Sequence, residues 1–175
     1  QCARHLELLP NSPRGQGKFV KKDIYFSTKK KYIKMDNIHI EAVKEADAAQ
    51  VLELYRLAGW WEMDDDPRHE KKVAAIIANT WCFVIVKAGE KIIGMGRAIS
   101  DGVSDAYIQD VTVHPEWRGK GLGKAIIRSL VGRLKQDGVG WIGLISEPGY
   151  EGFYQGLGFG VMQNYTPFLL KRENA

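Results

Sequence analysis

At 175 residues, with 45% hydrophobic and 10% aromatic content, the chain is the size of one ordinary domain and has enough apolar material to fill a core. No run approaches the roughly 18 uncharged apolar residues of a membrane helix, and the first residues lack the apolar centre of a secretory signal, so membrane-spanning and secreted classes are set aside. The formal charge of +4 is uneven: residues 1–36 hold nine Lys/Arg against three Asp/Glu, and residues 37–175 hold sixteen against eighteen, so the basic character belongs to the leading segment.

Residues 1–36 read as a basic extension, flexible or edge-pairing, with Ile24 to Phe26 able to add a short strand. A nucleic-acid arm is the rival reading, but charge runs are usually solvated, and no nucleic-acid partner is expected. The first methionine is Met35, which leaves the origin of the N-terminus open. Residues 37–175 are expected to form a single domain.

Ile38, Ile40 and Ala42 alternate with polar residues, the pattern of a half-buried strand. Asp47 with Gln50 resembles a capping box, and Val51, Leu52, Tyr55 and Ala58 mark one face of the following helix, which Gly59 ends. A loop of large aromatic and acidic residues follows, from Trp60 to Asp66. Pro67 then opens a second helix with Asp66 as its cap, and Val73, Ala74, Ile76 and Ile77 give that helix an apolar face.

Trp81 to Val86, a turn at Ala88-Gly89-Glu90, and Ile92 to Ile99 predict an antiparallel hairpin. Cys82 lies inside the first of these runs and reads as a small buried hydrophobe; with Cys2 far away there is no metal-ligand spacing, no metal is expected, and a reducing, cytoplasmic setting fits. Asp101-Gly102 marks a turn and Tyr107 to Val113 the next strand. A helix follows with Leu122, Ala125, Ile126, Ser129, Leu130 and Leu134 on one side, then a buried strand from Trp141 to Ile145. Strand, helix and strand predict a right-handed crossover with parallel strands. A short helix near Glu151 to Gln155 and two closing strands, near Phe159 and Phe168, complete the expected domain.

Between Val113 and that third helix stands His114-Pro115 and a basic, glycine-rich turn, Arg118-Gly119-Lys120-Gly121-Leu122-Gly123-Lys124. Glycine lets successive backbone N–H groups converge on one point at the positive end of a helix, which makes a seat for a diphosphate. Taken alone, the turn is equally consistent with a solvated basic loop. His114 occupies a turn position and reads as structural.

Arg118 to Gly123 fits the Arg/Gln-x-x-Gly-x-Gly/Ala signature, and Gly152-Phe153-Tyr154-Gln155-Gly156-Leu157-Gly158-Phe159 looks like a FY-x-x-LGF ending. Both motifs, in order and with a strand and helix between them, resemble the GNAT superfamily of acyl-CoA-dependent N-acetyltransferases over about Ile38 to Leu170. More loosely, Ser100 to Val103, Ile108 to Val113 and Ser146 to Gly149 resemble the serotonin-type arylalkylamine N-acetyltransferases of plants and microbes.

The resemblance implies a mixed α+β fold: a central, mostly antiparallel sheet of about seven strands with about four helices, splayed between two parallel central strands. It implies acetyl-CoA as donor, with pantetheine along Val111, Thr112 and Val113, the pyrophosphate on Arg118, Gly119, Lys120, Gly121, Leu122, Gly123 and Lys124, and further contacts at Ser146 and Tyr150. Tyr154 matches the family's acid; a core tyrosine is the alternative. An ammonium ion must lose a proton before attack, so a base is wanted. Asp110, a carboxylate in an apolar strand, and Glu147, just past the end of the parallel strand, are both candidates. Asp110 alternatively holds a loop, and Glu147 alternatively is a solvated turn residue. Trp60, Trp61 and Asp64 suit a wall for a cationic amine with an apolar body, or else they cap the core and a helix end. The expected partner is a small-molecule amine, with a protein or peptide acceptor, or a non-catalytic acyl-CoA-binding module, as the rival readings. The protein is expected to be a monomer or homodimer.

Overall fold

The computed structural model describes residues 37–170, so the expectations placed on residues 1–36 lie outside the described residues. Strand β1 (Ile38–Val43) leads to helices α1 (Ala48–Leu57) and α2 (Arg68–Asn79), then to strands β2 (Cys82–Ala88), β3 (Lys91–Ser100) and β4 (Asp105–Val113). Helix α3 (Leu122–Gln136), strand β5 (Trp141–Leu144) and a short helix α4 (Glu151–Gln155) follow. The sheet order is β1-β2-β3-β4-β5, antiparallel except for the parallel β4–β5 pair.

The uninterrupted apolar run of β2 is explained by burial on both sides of the sheet. Val84 and Val86 pack with Ile126, Ile127, Leu130 and Leu134 of α3, whereas the alternate residues Phe83 and Ile85 pack with Val51, Leu54 and Tyr55 of α1 and Val73 and Ile77 of α2. Each such fully buried side chain contributes about 1.5–3 kcal/mol relative to exposure. Cys82 belongs to the α3-side core, and burial pushes its thiol up, away from the reactive thiolate.

Caps set the helix starts. Asp47 accepts from the Gln50 N–H at 3.1 Å. The Gln50 side chain departs from a reciprocal capping box: its amide N–H donates to the Asp47 carboxylate at 2.9 Å, while its Oε1 accepts from the Ile92 N–H at 2.8 Å and so ties α1 to β3. Gly59 then ends the helix region at φ 75°. Asp66 accepts from the Arg68 N–H at 2.8 Å, with Pro67 already at helical angles.

One irregularity shapes the site. The β3–β4 register runs Met95↔Thr112 and then Arg97↔Gln109, so Asp110 and Val111 together oppose Gly96, and Asp110 sits at φ 54°. A Cβ on Gly96 would stand 2.6 Å from Ile126 Cγ2, so the absence of a side chain there lets α3 close over the bulge.

Two expectations are corrected. Five strands, not about seven, are present among the described residues; 156–170 take no strand pairing, and Phe168, Leu169 and Leu170 are exposed. Among the described residues no strand pairs beyond β5, so it stands at an edge rather than as a buried central strand, and Trp141 is 39% exposed. Ile142 and Leu144 pack on the α3-side core, whereas Trp141 meets the exposed Tyr107 with its ring tilted at 5.0 Å between centres, and Ile145 is exposed.

Candidate active site

The parallel pairing of β4 with β5 stops at Ile108↔Leu144, five residues before β4 ends. From there the strands part, and residues 109–113 face β5's side with no strand partner among the described residues. A strand with open backbone groups on one edge can take up an extended ligand that carries amides. The gap opens into a cleft of about 690 Å³ walled by the end of β4, residues 145–147 after β5, the start of α3, α4, and Trp60 from the loop after α1.

At one end lies the glycine turn. His114 caps a 3-10 turn at Pro115–Trp117, its Nδ1 accepting from the Glu116 N–H at 3.4 Å, which fits the structural reading of His114. Gly119 and Gly121 take φ of 75° and 79°, and a Cβ on either would meet nothing within 4 Å. The glycines are therefore there for backbone shape and for free space above it. The first turn of α3 leaves its N–H groups without helical partners, and among the described residues the N–H groups of Gly119, Lys120 and Gly121 have none either. Unpaired donors around open space at the start of a 15-residue helix match an anion seat.

Arg118 folds back, donating from Nε to the Val113 carbonyl at 2.9 Å, and so fastens the turn to the end of β4. Lys120 lies over the Trp117 ring at 4.5 Å. Arg118, Gly119, Leu122 and Gly123 line the cleft; Lys120, Gly121 and Lys124 stand outside its wall.

The other end holds the candidate chemistry. Tyr154, Glu147 and Asp110 all line the same cleft, as do Val111, Thr112, Val113, Ser146 and Tyr150. Burial pushes the Tyr154 hydroxyl up, and the negative charge of Glu147 adds to this, as does Tyr150, so the phenol holds its proton beyond the ordinary range. Glu147 is exposed and accepts from Trp60 Nε1 at 3.3 Å. Ser146 spends its hydroxyl on the Glu147 carbonyl at 2.8 Å.

Asp110 stands differently. Its Oδ2 accepts both from the Tyr55 hydroxyl, at 2.8 Å, and from Arg97 Nε. Tyr55 is 3% exposed, and its hydroxyl is pushed up by burial first and by the Asp110 charge second. Arg97 also reaches Gln109 Oε1 at 3.1 Å. Asp110 thus joins helix α1, strand β3 and the bulge of β4.

Of the three expected acceptor residues only Trp60 lines the cleft. Trp61 packs away from it, tilted on Tyr55 at 5.4 Å and edge-on to His69 at 5.6 Å. Asp64 faces His69. Sequence reasoning passed over Tyr107, Trp117 and Phe153 in the cleft wall, and Tyr55 and Arg97 behind Asp110. Arg97 carried the same signal as Asp110, a charge in an apolar strand, on the neighbouring strand of the hairpin.

A sheet whose parallel pair parts beside an open glycine turn, with Tyr154 across the gap, has the layout that an acyl-CoA-dependent transferase needs. The chain matches the acetyltransferase (GNAT) family over residues 47–159, and it belongs to that family. It is 32% identical over 131 residues to the uncharacterized N-acetyltransferase ycf52 of Pyropia yezoensis, covering 73% of this chain and 72% of that one. It is 44% identical over 69 residues to the chloroplastic serotonin N-acetyltransferase 2 of Oryza sativa subsp. japonica, covering 39% of this chain and 34% of that one. A GNAT-family acetyltransferase from Streptococcus pneumoniae superposes with a TM-score of 0.66 at 21% identity, over 78% of this chain and 99% of that one. The protein is an acyl-CoA-dependent N-acetyltransferase.

Proposed function

We propose that the enzyme moves an acetyl group from acetyl-CoA directly to the primary amine of a small molecule, an arylalkylamine or an amino sugar. One observation supports this reading: Trp60 donates its indole N–H to the Glu147 carboxylate in the cleft that Tyr154 also lines, which suits an aromatic wall beside a base.

The unpaired N–H groups and open space of the glycine turn fit the pyrophosphate of coenzyme A, and the open edge of Val111 to Val113 fits its pantetheine amides. Bound there, the coenzyme supplies a thioester carbonyl that an amine can attack. Glu147 takes the proton that the acceptor ammonium must lose, directly or through water, and Tyr154 gives a proton to the departing sulfur. One N–C bond forms and one C–S bond breaks; of the two protons the nitrogen loses on going from ammonium to amide, one leaves through Glu147 to solvent and the other replaces the proton that Tyr154 gives to the sulfur. Asp110, engaged by Tyr55 and Arg97, positions β4 rather than accepting the proton. Trp60 lies against the apolar body of the acceptor, with the cationic end toward Glu147.

A similarity to a chloroplastic serotonin N-acetyltransferase supports the arylalkylamine class, and it widens the expected cytoplasmic setting to any reducing compartment, the plastid included. The test mixes the protein with acetyl-CoA and a panel of arylalkylamines, amino sugars and lysine peptides and follows free thiol. Release with the small amines, strongly reduced by Tyr154→Phe, is expected. Release with peptides alone would shift the acceptor to protein, and no release with any amine while coenzyme still binds would make the domain a binding module.

A further inference from the structure

The loop from Trp60 to Asp66 holds a second constellation that the transfer reaction does not use. Glu62 and Asp64 on this loop and His69 in the first turn of α2 each offer one ligand-type atom, and these atoms all lie within 4.8 Å of one another. The carboxylates are exposed and His69 is 5% exposed. Exposed carboxylates in proximity mean little by themselves. The buried imidazole is the independent observation, because its Nδ1 has no hydrogen-bond partner among the described residues. A buried polar atom left in this way destabilises the fold unless something else satisfies it.

Asp64 Oδ1 stands 3.2 Å from that Nδ1, yet the pair does not meet hydrogen-bond geometry. The separation has another meaning: two ligands at about 2.0–2.1 Å from a tetrahedral ion stand about 3.3 Å apart. The loop backbone is also held for such a purpose. A single guanidinium, Arg56 of α1, donates from Nε to the Glu62 carbonyl at 3.0 Å and from Nη2 to the Asp64 carbonyl, which fixes residues 62 and 64 relative to one another. Trp61 packs edge-on to the His69 ring and supplies an apolar shield.

We propose that Glu62, Asp64 and His69 bind one divalent transition-metal ion, zinc fitting best, and that the ion fastens the acceptor loop to the start of α2. One imidazole nitrogen with two carboxylate oxygens selects a borderline ion over magnesium or calcium, which prefer all-oxygen shells. Three protein ligands leave a fourth position for water. Since Trp60 precedes this cluster by two residues, a fastened loop holds Trp60 at a set place beside Glu147. The metal site itself does not depend on the identity of the acceptor.

The test is calorimetric titration of the full chain with zinc, together with cobalt absorption as a coordination signature. About one equivalent of zinc is expected at this site, with Glu62→Gln and Asp64→Asn each weakening its binding at least tenfold and the double substitution removing it. Because His69 is packed into the base of α2, the decision rests on these two exposed carboxylates, whose replacement leaves the core intact. In the wild-type chain, zinc should slow amide exchange of residues 60–66 several-fold, and in Asp64→Asn it should not. No saturable zinc binding, binding that both substitutions leave within twofold, or binding with unchanged exchange in the loop would overturn the proposal.

Discussion

Trp60 donates its indole N–H to Glu147 across 87 residues of sequence, at 3.3 Å, and so links the loop after α1 to the end of β5. The contact makes two substitutions informative. Glu147→Gln keeps an oxygen for the indole but cannot take a proton, and should lower kcat by about 10²-fold with little change in the amine KM. Trp60→Phe keeps the apolar wall and removes the donor, and should raise the amine KM several-fold while leaving the acetyl-CoA KM unchanged. Steady-state kinetics with both substrates varied checks this; equal kcat for Glu147→Gln and wild type would remove Glu147 from proton transfer.

Tyr154 gives the pH prediction. Burial, with the Glu147 charge second, raises its hydroxyl above the ordinary tyrosine value of about 10. A raised value keeps the acid protonated as pH rises, so kcat should show no alkaline fall below about pH 10. In Glu147→Gln the second cause is removed, and any alkaline limb should move down. Tyr154→Phe should lower kcat by about 10²-fold across the range without weakening acetyl-CoA binding by more than about twofold. A pH profile of kcat from 6 to 10.5 for the three proteins decides between this and a purely packing role for the ring.

The sheet and its coverings were legible because their signals are local. Alternation in Ile38 to Ala42, the β-prone run at Cys82, and the stripe from Leu122 to Leu134 each reflect burial that the neighbouring chain satisfies. The glycine turn was legible for the same reason, since Gly119 and Gly121 answer a backbone demand that their own φ values express. The partners of Asp110 were not, because Tyr55 and Arg97 lie 55 and 13 residues away and their grouping depends on a bulge that no composition announces. Trp61 and Asp64 read as part of the acceptor wall because the loop is rich in such residues, but both turn to His69 at the start of α2, and only Trp60 of the three reaches the cleft. The closing strands misled for a different reason: apolar content near Phe168 signals a wish for cover, not the form of that cover.

Asp110 should prove structural under substitution. Asparagine tolerates its positive φ, so Asp110→Asn removes the charge without adding backbone strain. It leaves Arg97, with 18% of its side chain exposed, short of its counter-ion, and should destabilise the fold by about 1–3 kcal/mol. Tyr55→Phe removes one neutral donor and should cost about 1 kcal/mol. Both changes act on one oxygen, so the double variant should lose less than the sum. Denaturant unfolding of the four proteins measures this, and strict additivity would show that the contacts are independent.

Arg118 tests the anion seat. Its Nε is engaged by the Val113 carbonyl, so the side chain joins the strand that would align pantetheine to the turn that would grip the pyrophosphate. Arg118→Ala loosens that joint and removes one positive charge at the mouth of the seat. Phosphates are remote from the bond that breaks, and contacts to them contribute equally to ground and transition states. The expected outcome is an acetyl-CoA Kd and KM raised about tenfold, with kcat at saturating coenzyme within about twofold of wild type. Gly119→Ala offers the complement: open space surrounds it, so any loss reflects the φ of 75° and not a clash within the fold. If Arg118→Ala lowers kcat at saturation while leaving coenzyme affinity unchanged, the turn serves the reacting end of the cleft, and the phosphate seat must lie elsewhere.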